Sequence, residues 1–328
     1  MKVSITSVVL FAICIIVLIS FSTSAREITV SPEKNSIYDY VVDKNGNGDF
    51  LSIQEAVSRV PQGSSILIKS GTYPEIVEIK KEIRLVGEEK ESTLINPISK
   101  ENRYAVYLGA PKVSLSGLTI YNGAPGLYSS GIKITADRTE IYDCKIIDTP
   151  VGIAVWSSEN RIENCTFIGC KDEGIALLGS KNSPCNDNAI LNCVFYENCD
   201  GIELQYSQKN TISNCEIYDN THTGIDAIAS KNDENVISDC NIYNNRVHGI
   251  YLSASSENKI IDCLFSNNKD GDIIENRYSK NNQVISNDDV EDENSVLNKQ
   301  LSFFARIFER SSIVKDGRLL GMIKELAF

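Results

Sequence analysis

The sequence predicts an all-β fold, a parallel β-helix solenoid with a helical cap at each end, and three observations predict it. A glycine-led segment recurs every ~22 residues, apolar and polar residues alternate within it, and Gly, Ser, Asn and Asp interrupt the alternation. The segments read "GIKITADRTEIYDCKII" at Gly131, "GIAVWSSENRIENCTFI" at Gly152, "GIALLGSKNS" at Gly174, "GIELQYSQKNTISNCEI" at Gly201, "GIDAIASKNDENVISDCNI" at Gly224 and "GIYLSASSENKIIDCLF" at Gly249, with a degraded copy at Gly271. Spacings run from 21 to 27 residues, the longest carrying an insertion around Ser183, Pro184 and Cys185. The shared pattern is G-I-x-h-x-x-S-x-x-N-x-I-x-(N/D)-C-x-(I/F). Alternation with a period of two, broken by turn residues, means three short strands per coil. A single such coil cannot bury its own apolar side, so the repeats must stack. A leucine-rich repeat has a similar period, but its leucine ladder and helical arc are missing.

Composition bounds the rest. The 328 residues are 42% hydrophobic and 23% charged, ordinary for a protein with a buried core. A net charge of -12 disfavours nucleic acid and anionic membrane surfaces as main partners. It would also repel an acidic polysaccharide unless a cation or a basic patch offset it. At the N-terminus, Lys2 precedes an apolar run from Val8 to Phe21 and then Ser22, Thr23, Ser24 and Ala25. Residues 1–25 therefore read as an export signal cleaved after Ala25. An uncleaved anchor is the alternative, because Val3 to Phe21 is nearly long enough to span a bilayer. Both readings place the body, residues 26–290, in a secreted or cell-envelope setting.

The body opens on a compact unit. Ser52 and Glu55 have capping-box spacing, predicting a short helix that Pro61 ends. Short β runs follow at Ile66–Ile68, Gly71–Tyr73, Ile76–Ile79 and Ile83–Gly87. Asp43, Asn45, Asn47 and Gly48 match the start of a calcium loop, but Gln54 stands where a bidentate Glu is required. A turn is the better reading. The order helix, strand, "SGTYPE", strand, "IRLVGE", "STLI" resembles the opening of pectinesterases and related pectin-lyase-fold proteins, in which the helix covers the open end of the solenoid. The repeats themselves resemble those of the NosD-type and carbohydrate-binding/sugar-hydrolase β-helix families, over roughly residues 40–290. That resemblance implies a right-handed coil, in keeping with parallel crossovers generally. It also implies a polysaccharide or glycan as partner.

Stacking turns repeats into columns. Cys144, Cys165, Cys193, Cys215, Cys240 and Cys263 share one coil position. Stacked Cβ atoms ~4.8 Å apart lie beyond disulfide reach, so the column reads as a buried ladder of small apolar side chains. Cys170, Cys185 and Cys199 fall outside it and could supply one disulfide. In G-I-x-h-x the x positions face out. The first x reads Lys133, Ala154, Ala176, Glu203, Asp226, Tyr251, and the second Thr135, Trp156, Leu178, Gln205, Ile228, Ser253. Asp172 and Glu173, Asp200, His222, Arg246, His248 and Asp270 lie just before the glycines.

Asp200, Glu203, His222, Asp226, Arg246 and His248 are thus the candidate catalytic residues, and both histidines of the chain are among them. Stacked carboxylates such as Glu203 and Asp226 must share a proton, flank a metal, or repel. An acid–base pair of this kind suits glycosidic cleavage, uronate epimerisation or β-elimination. The competing view is a solvated polar face. Trp156, Tyr206 and Tyr251 are the candidate sugar-stacking residues. No motif demands a cofactor or metal; calcium is the one cofactor the carboxylates suggest. The pectinesterase elements "QDT" and "DFIFG" are absent, so the chain is not a pectinesterase by motif. "CDG" at Cys199 and "HG" at His248 resemble polygalacturonase elements, without that family's paired aspartates or "RIK". The Tyr-Gly-x-Asp-Pro-His run of mannuronan epimerases is also absent.

Residues 291–328 change character. Leu297, Leu301, Phe304 and Phe308 recur at helical spacing, which predicts a helical cap over the last coil or a tail that contacts a membrane. Three functions remain open: a polysaccharide-processing enzyme, a non-catalytic glycan-binding envelope protein, and a NosD-like accessory protein with a membrane partner.

Overall fold

A computed structural model describes residues 37–98, 103–126, 129–229 and 231–286. The expected signal segment, the uncleaved anchor and the C-terminal helical tail lie outside the described residues.

Three parallel sheets of eleven, nine and nine strands form the walls of the solenoid. Each strand pairs with the strand one coil further along the chain, so Ser130–Ile134 lies against Val151–Val155, Glu140–Tyr142 against Arg161–Glu163, and Lys145–Ile147 against Thr166–Ile168. The stack begins well before Gly131. Strands Val77–Ile79 and Tyr104–Leu108 already belong to the third sheet, although their coils lack the G-I lead. The core is the interior column set: Ile132, Ile153, Ile175, Ile202, Ile225 and Ile250 are all fully buried, as are Ile141, Ile162, Ile190, Ile212 and Ile237 to within 1%.

The corners explain the sequence signature. Asp143, Asn164, Asn192, Asn214, Asp239 and Asp262, the residues before the cysteines, all have φ between 50 and 56°. A left-handed residue at this corner turns the chain from one sheet to the next, and Asn and Asp tolerate it best among residues with a side chain. The glycine column has a different cause. A Cβ on Gly152 would sit 2.1 Å from the Gly174 carbonyl oxygen, so neighbouring coils approach there too closely for any side chain.

The cysteine ladder is interior, and the described cysteines are all free. Cys215 is fully buried and its thiol points at the carbonyls of Ser213 and Ile190. Burial pushes the Cys193 and Cys240 thiols well up. Cys170 and Cys185 are buried singly rather than paired, which removes the expected disulfide. Two asparagine ladders cross the stack. Asn160, Asn188, Asn210, Asn235, Asn258 and Asn282 each receive hydrogen bonds from the preceding coil on the side-chain oxygen or pass them on. Asn198, Asn220, Asn245 and Asn268 do the same at another corner.

The expected helix spans Ile53–Arg59, with Ser52 in extended conformation at its N-cap accepting the Glu55 N–H. Glu75 also accepts from the Ile53 and Gln54 N–H groups, which occupies donors a helix start leaves free. Ile53, Ala56 and Val57 are buried, and the helix packs on Val77–Ile79, the terminal strand of the third sheet. It is the single helix among the described residues. The Asp43 segment is a turn, as expected: Asp43 Oδ1 accepts the Asn45 N–H at 2.8 Å.

Candidate functional site

The candidate residues gather on the outer face of the third sheet. There the glycine bend turns the preceding residue outward, so Val151 packs with Ala154, Ala176 and Leu178 in a small cluster separate from the core. The same position is Glu173 and then Asp200 on the next two strands, which pair in register. Beside it runs the column Tyr107, Lys133, Ala154, Ala176, Glu203, Asp226, Tyr251. The face points away from the core, yet Glu173, Asp200 and Asp226 are each more than 90% screened from solvent. The floor around these carboxylates is therefore recessed.

Asp200 Oδ1 accepts the Thr223 N–H at 2.6 Å and lies 2.8 Å from His222 Nδ1. His222 itself stands half-exposed at the rim, its side chain 46% accessible. Asp226 comes next to this pair, and its buried Oδ1 has no hydrogen-bond partner. One ligand atom each from Asp200, His222 and Asp226 lies within 4.8 Å of the others. His248 stacks its ring on Tyr251 with centroids 5.4 Å apart, and its buried Nδ1 also lacks a partner.

Burial dominates the electrostatics. It pushes the Glu173 carboxyl up to about 9, reinforced by the charges of Glu203 and Asp172. Asp226 rises to about 7, first through burial and then through the charge of Asp200. Asp200 and Glu203 are also raised by burial; His222 opposes the rise at Asp200 and the proton shared from Glu173 opposes it at Glu203. Near neutral pH the cluster therefore mixes protonated and ionised carboxyls, the requirement for paired proton donors and acceptors.

Not every expected residue joins. Arg246 is exposed, and among the described residues its guanidinium has no ion pair. Tyr206 is not on the sheet face: it sits at φ 48° in the turn after Gln205. Trp156 is 47% exposed on the same face, with Lys133 Nζ 5.7 Å from its ring centre, but it lies two strands from the acidic strand of Glu203. Glu173 belongs in the cluster and was outside the candidate catalytic set; its place in the column of Asp200 was the available signal. Two open hollows on the first sheet, one around Glu234 and Lys259 and one around Arg138 and Arg161, adjoin none of these groups.

Fold and face together define a parallel β-solenoid with one recessed, acid-lined wall. The family model for the right handed beta helix region matches residues 90–198 and 130–289, more than half of the chain, and the protein belongs to that family. Among curated proteins, the chain is 28% identical over 225 residues to a probable pectinesterase/pectinesterase inhibitor of Arabidopsis thaliana, covering 63% of this chain and 36% of that protein. It is 27% identical over 148 residues to a pectinesterase of Daucus carota, covering 40% of this chain and 46% of that one. The chain thus spans less than half the length of these two relatives. Among solved structures, a pectate lyase superposes with a TM-score of 0.53 at 14% identity, over 72% of this chain and 78% of that one. The enzymatically active domain of a Bacteriophage CBA120 tailspike gives 0.54 at 12% identity, over 71% and 40%. An alginate lyase of Paenibacillus sp. str. FPU-7 gives 0.50 at 12% identity, over 69% and 95%. At such identities these likenesses concern the fold.

Proposed function

We propose that the protein is exported, binds a polysaccharide along the outer face of the third sheet and processes it at Glu173, Asp200, Glu203 and Asp226. One observation carries the reading: buried carboxyls with raised proton affinity sit midway along a face that has Trp156 and Lys133 on one side and Tyr251 and His248 on the other. Coils repeat every ~4.8 Å, so these groups follow the solenoid axis like successive subsites for an extended sugar chain. Glu173 or Asp226 supplies the proton and Glu203 or His222 receives one, which serves glycosidic hydrolysis, β-elimination or epimerisation. The named activities of the pectinesterase, pectate lyase and alginate lyase relatives favour uronate polymers as first substrates.

The test is a panel of pectate, methylated pectin, alginate and neutral glucans, assayed for reducing ends, ultraviolet-absorbing unsaturated ends and released methanol. Product from any one polymer, lost in Glu203→Gln, supports processing. A second reading, glycan binding without catalysis, is favoured by exposed Trp156 and by the lack of any intact catalytic motif. Binding on the panel without product would select it.

A further inference from the structure

We propose that Asp200, His222 and Asp226 form a binding site for a first-row transition-metal dication, with zinc as the representative ion. Three features converge. The donor atoms of the three side chains lie within 4.8 Å of one another, so side-chain rotation of about an ångström would close them to the ~3.3 Å edge of a tetrahedron with metal–ligand bonds of about 2.0–2.1 Å. Asp226 is 93% buried and its Oδ1 is unpartnered, a costly state for a carboxylate unless a cation or proton completes it. Asp200 is anchored by the Thr223 N–H, which fixes the direction of its carboxylate as outer-shell hydrogen bonds do in metal sites.

The donor set selects the ion class. Two carboxylates balance a dication, and an imidazole nitrogen suits zinc, iron, nickel or copper, whereas calcium seeks six to eight oxygens. His222 stands at the rim with its side chain 46% accessible, so an ion can enter from solvent. Three protein ligands leave open coordination positions above the floor. Glu203 sits in register beside Asp226, so the ion would also relieve repulsion along that column. This assignment stands apart from the glycan reading because binding is measured with the metal alone.

The full chain, stripped with chelator and dialysed, is titrated by calorimetry with Zn2+ and separately with Ca2+. One Zn2+ per chain is expected, bound at least about tenfold more tightly than Ca2+, with a raised melting temperature. His222→Gln and Asp226→Asn should weaken zinc binding by roughly a hundredfold while circular dichroism stays native. Glu234→Gln, in the turn before the first-sheet strand Val236–Ser238, should bind as the wild type does. Co2+ in place of Zn2+ should give weak visible bands that vanish in His222→Gln. Equal zinc affinity in the wild type and His222→Gln, preference for Ca2+, or intense thiolate charge-transfer absorption from nearby Cys199 would each overturn the assignment.

Discussion

Glu203 and Asp226 pair across adjacent parallel strands, so two carboxylates occupy one column of a recessed sheet face. Asp226 is buried and Glu203 half-buried, which denies both the full solvent screening that makes such a pair cheap on an open surface. Neutralising one member should relieve the fold and damage the chemistry. Glu203→Gln and Asp226→Asn are each expected to lower polysaccharide turnover about 100- to 10,000-fold. In chelator, their melting temperatures should match or exceed that of the wild type. A melting temperature lowered along with activity would identify structural residues instead.

Glu173 predicts a pH effect with a definite sign. Its carboxyl titrates near 9 in the fold, against 4.5 for an ordinary glutamate, because burial and then Glu203 and Asp172 disfavour its charge. Between those values the folded chain holds a proton that the unfolded chain lacks, so stability must fall as pH rises. The contribution is fully present below the ordinary carboxylate range, declines through neutrality and is lost once pH passes the folded value. Glu173→Gln mimics the protonated state. In chelator, urea midpoints measured from acid to alkaline pH should therefore fall less steeply for the variant than for the wild type. Parallel curves would sink this account.

The solenoid was legible because one physical demand, stacking, repeats itself in the chain. Cys215 and Asn214 read as an interior position and its neighbour from the column alone, and the left-handed corner at Asn214 explains why Asn or Asp precedes each cysteine. The pairing of Glu203 with Asp226 followed from the same register. What could not be read was depth. Alternation says which way Asp226 points, but not that an outward side chain is buried to 7% exposure. The turn at Tyr206 was equally hidden: the strand ends at Gln205, and Tyr206 follows it at φ 48°. The glycine lead marks only the coils from Gly131 onward, whereas Tyr104–Leu108 joins the same sheet without it.

The asparagine ladder should carry more stability than the cysteine ladder. Asn210 donates to the Cys185 carbonyl and to Asn235 Oδ1, and its own Oδ1 accepts from the Asn188 backbone and side chain, all in full burial. Asn210→Ala strands these partners away from water and should cost about 3 kcal/mol in chemical denaturation. Cys215→Ala removes a weak donor and little volume and should cost only about 1 kcal/mol. The reverse order would mean that sulfur packing holds the coils together.

Trp156 offers the most direct separation of binding from catalysis. Its ring is 47% exposed and lies under the Lys133 ammonium, so truncation removes a flat apolar surface without opening the core. Sugar rings stack on such surfaces through their C–H faces, and an aromatic contact of this kind contributes about 1.4 kcal/mol, or tenfold in affinity. Trp156→Ala should therefore weaken binding of the active polymer about tenfold, read by affinity electrophoresis or tryptophan-independent calorimetry, and leave the melting temperature nearly unchanged. Short oligosaccharides that reach only the carboxylates should be processed equally well by the variant and the wild type. If long and short substrates lose activity alike, the polymer does not run along this face, and the axial path from Lys133 to Tyr251 must be abandoned.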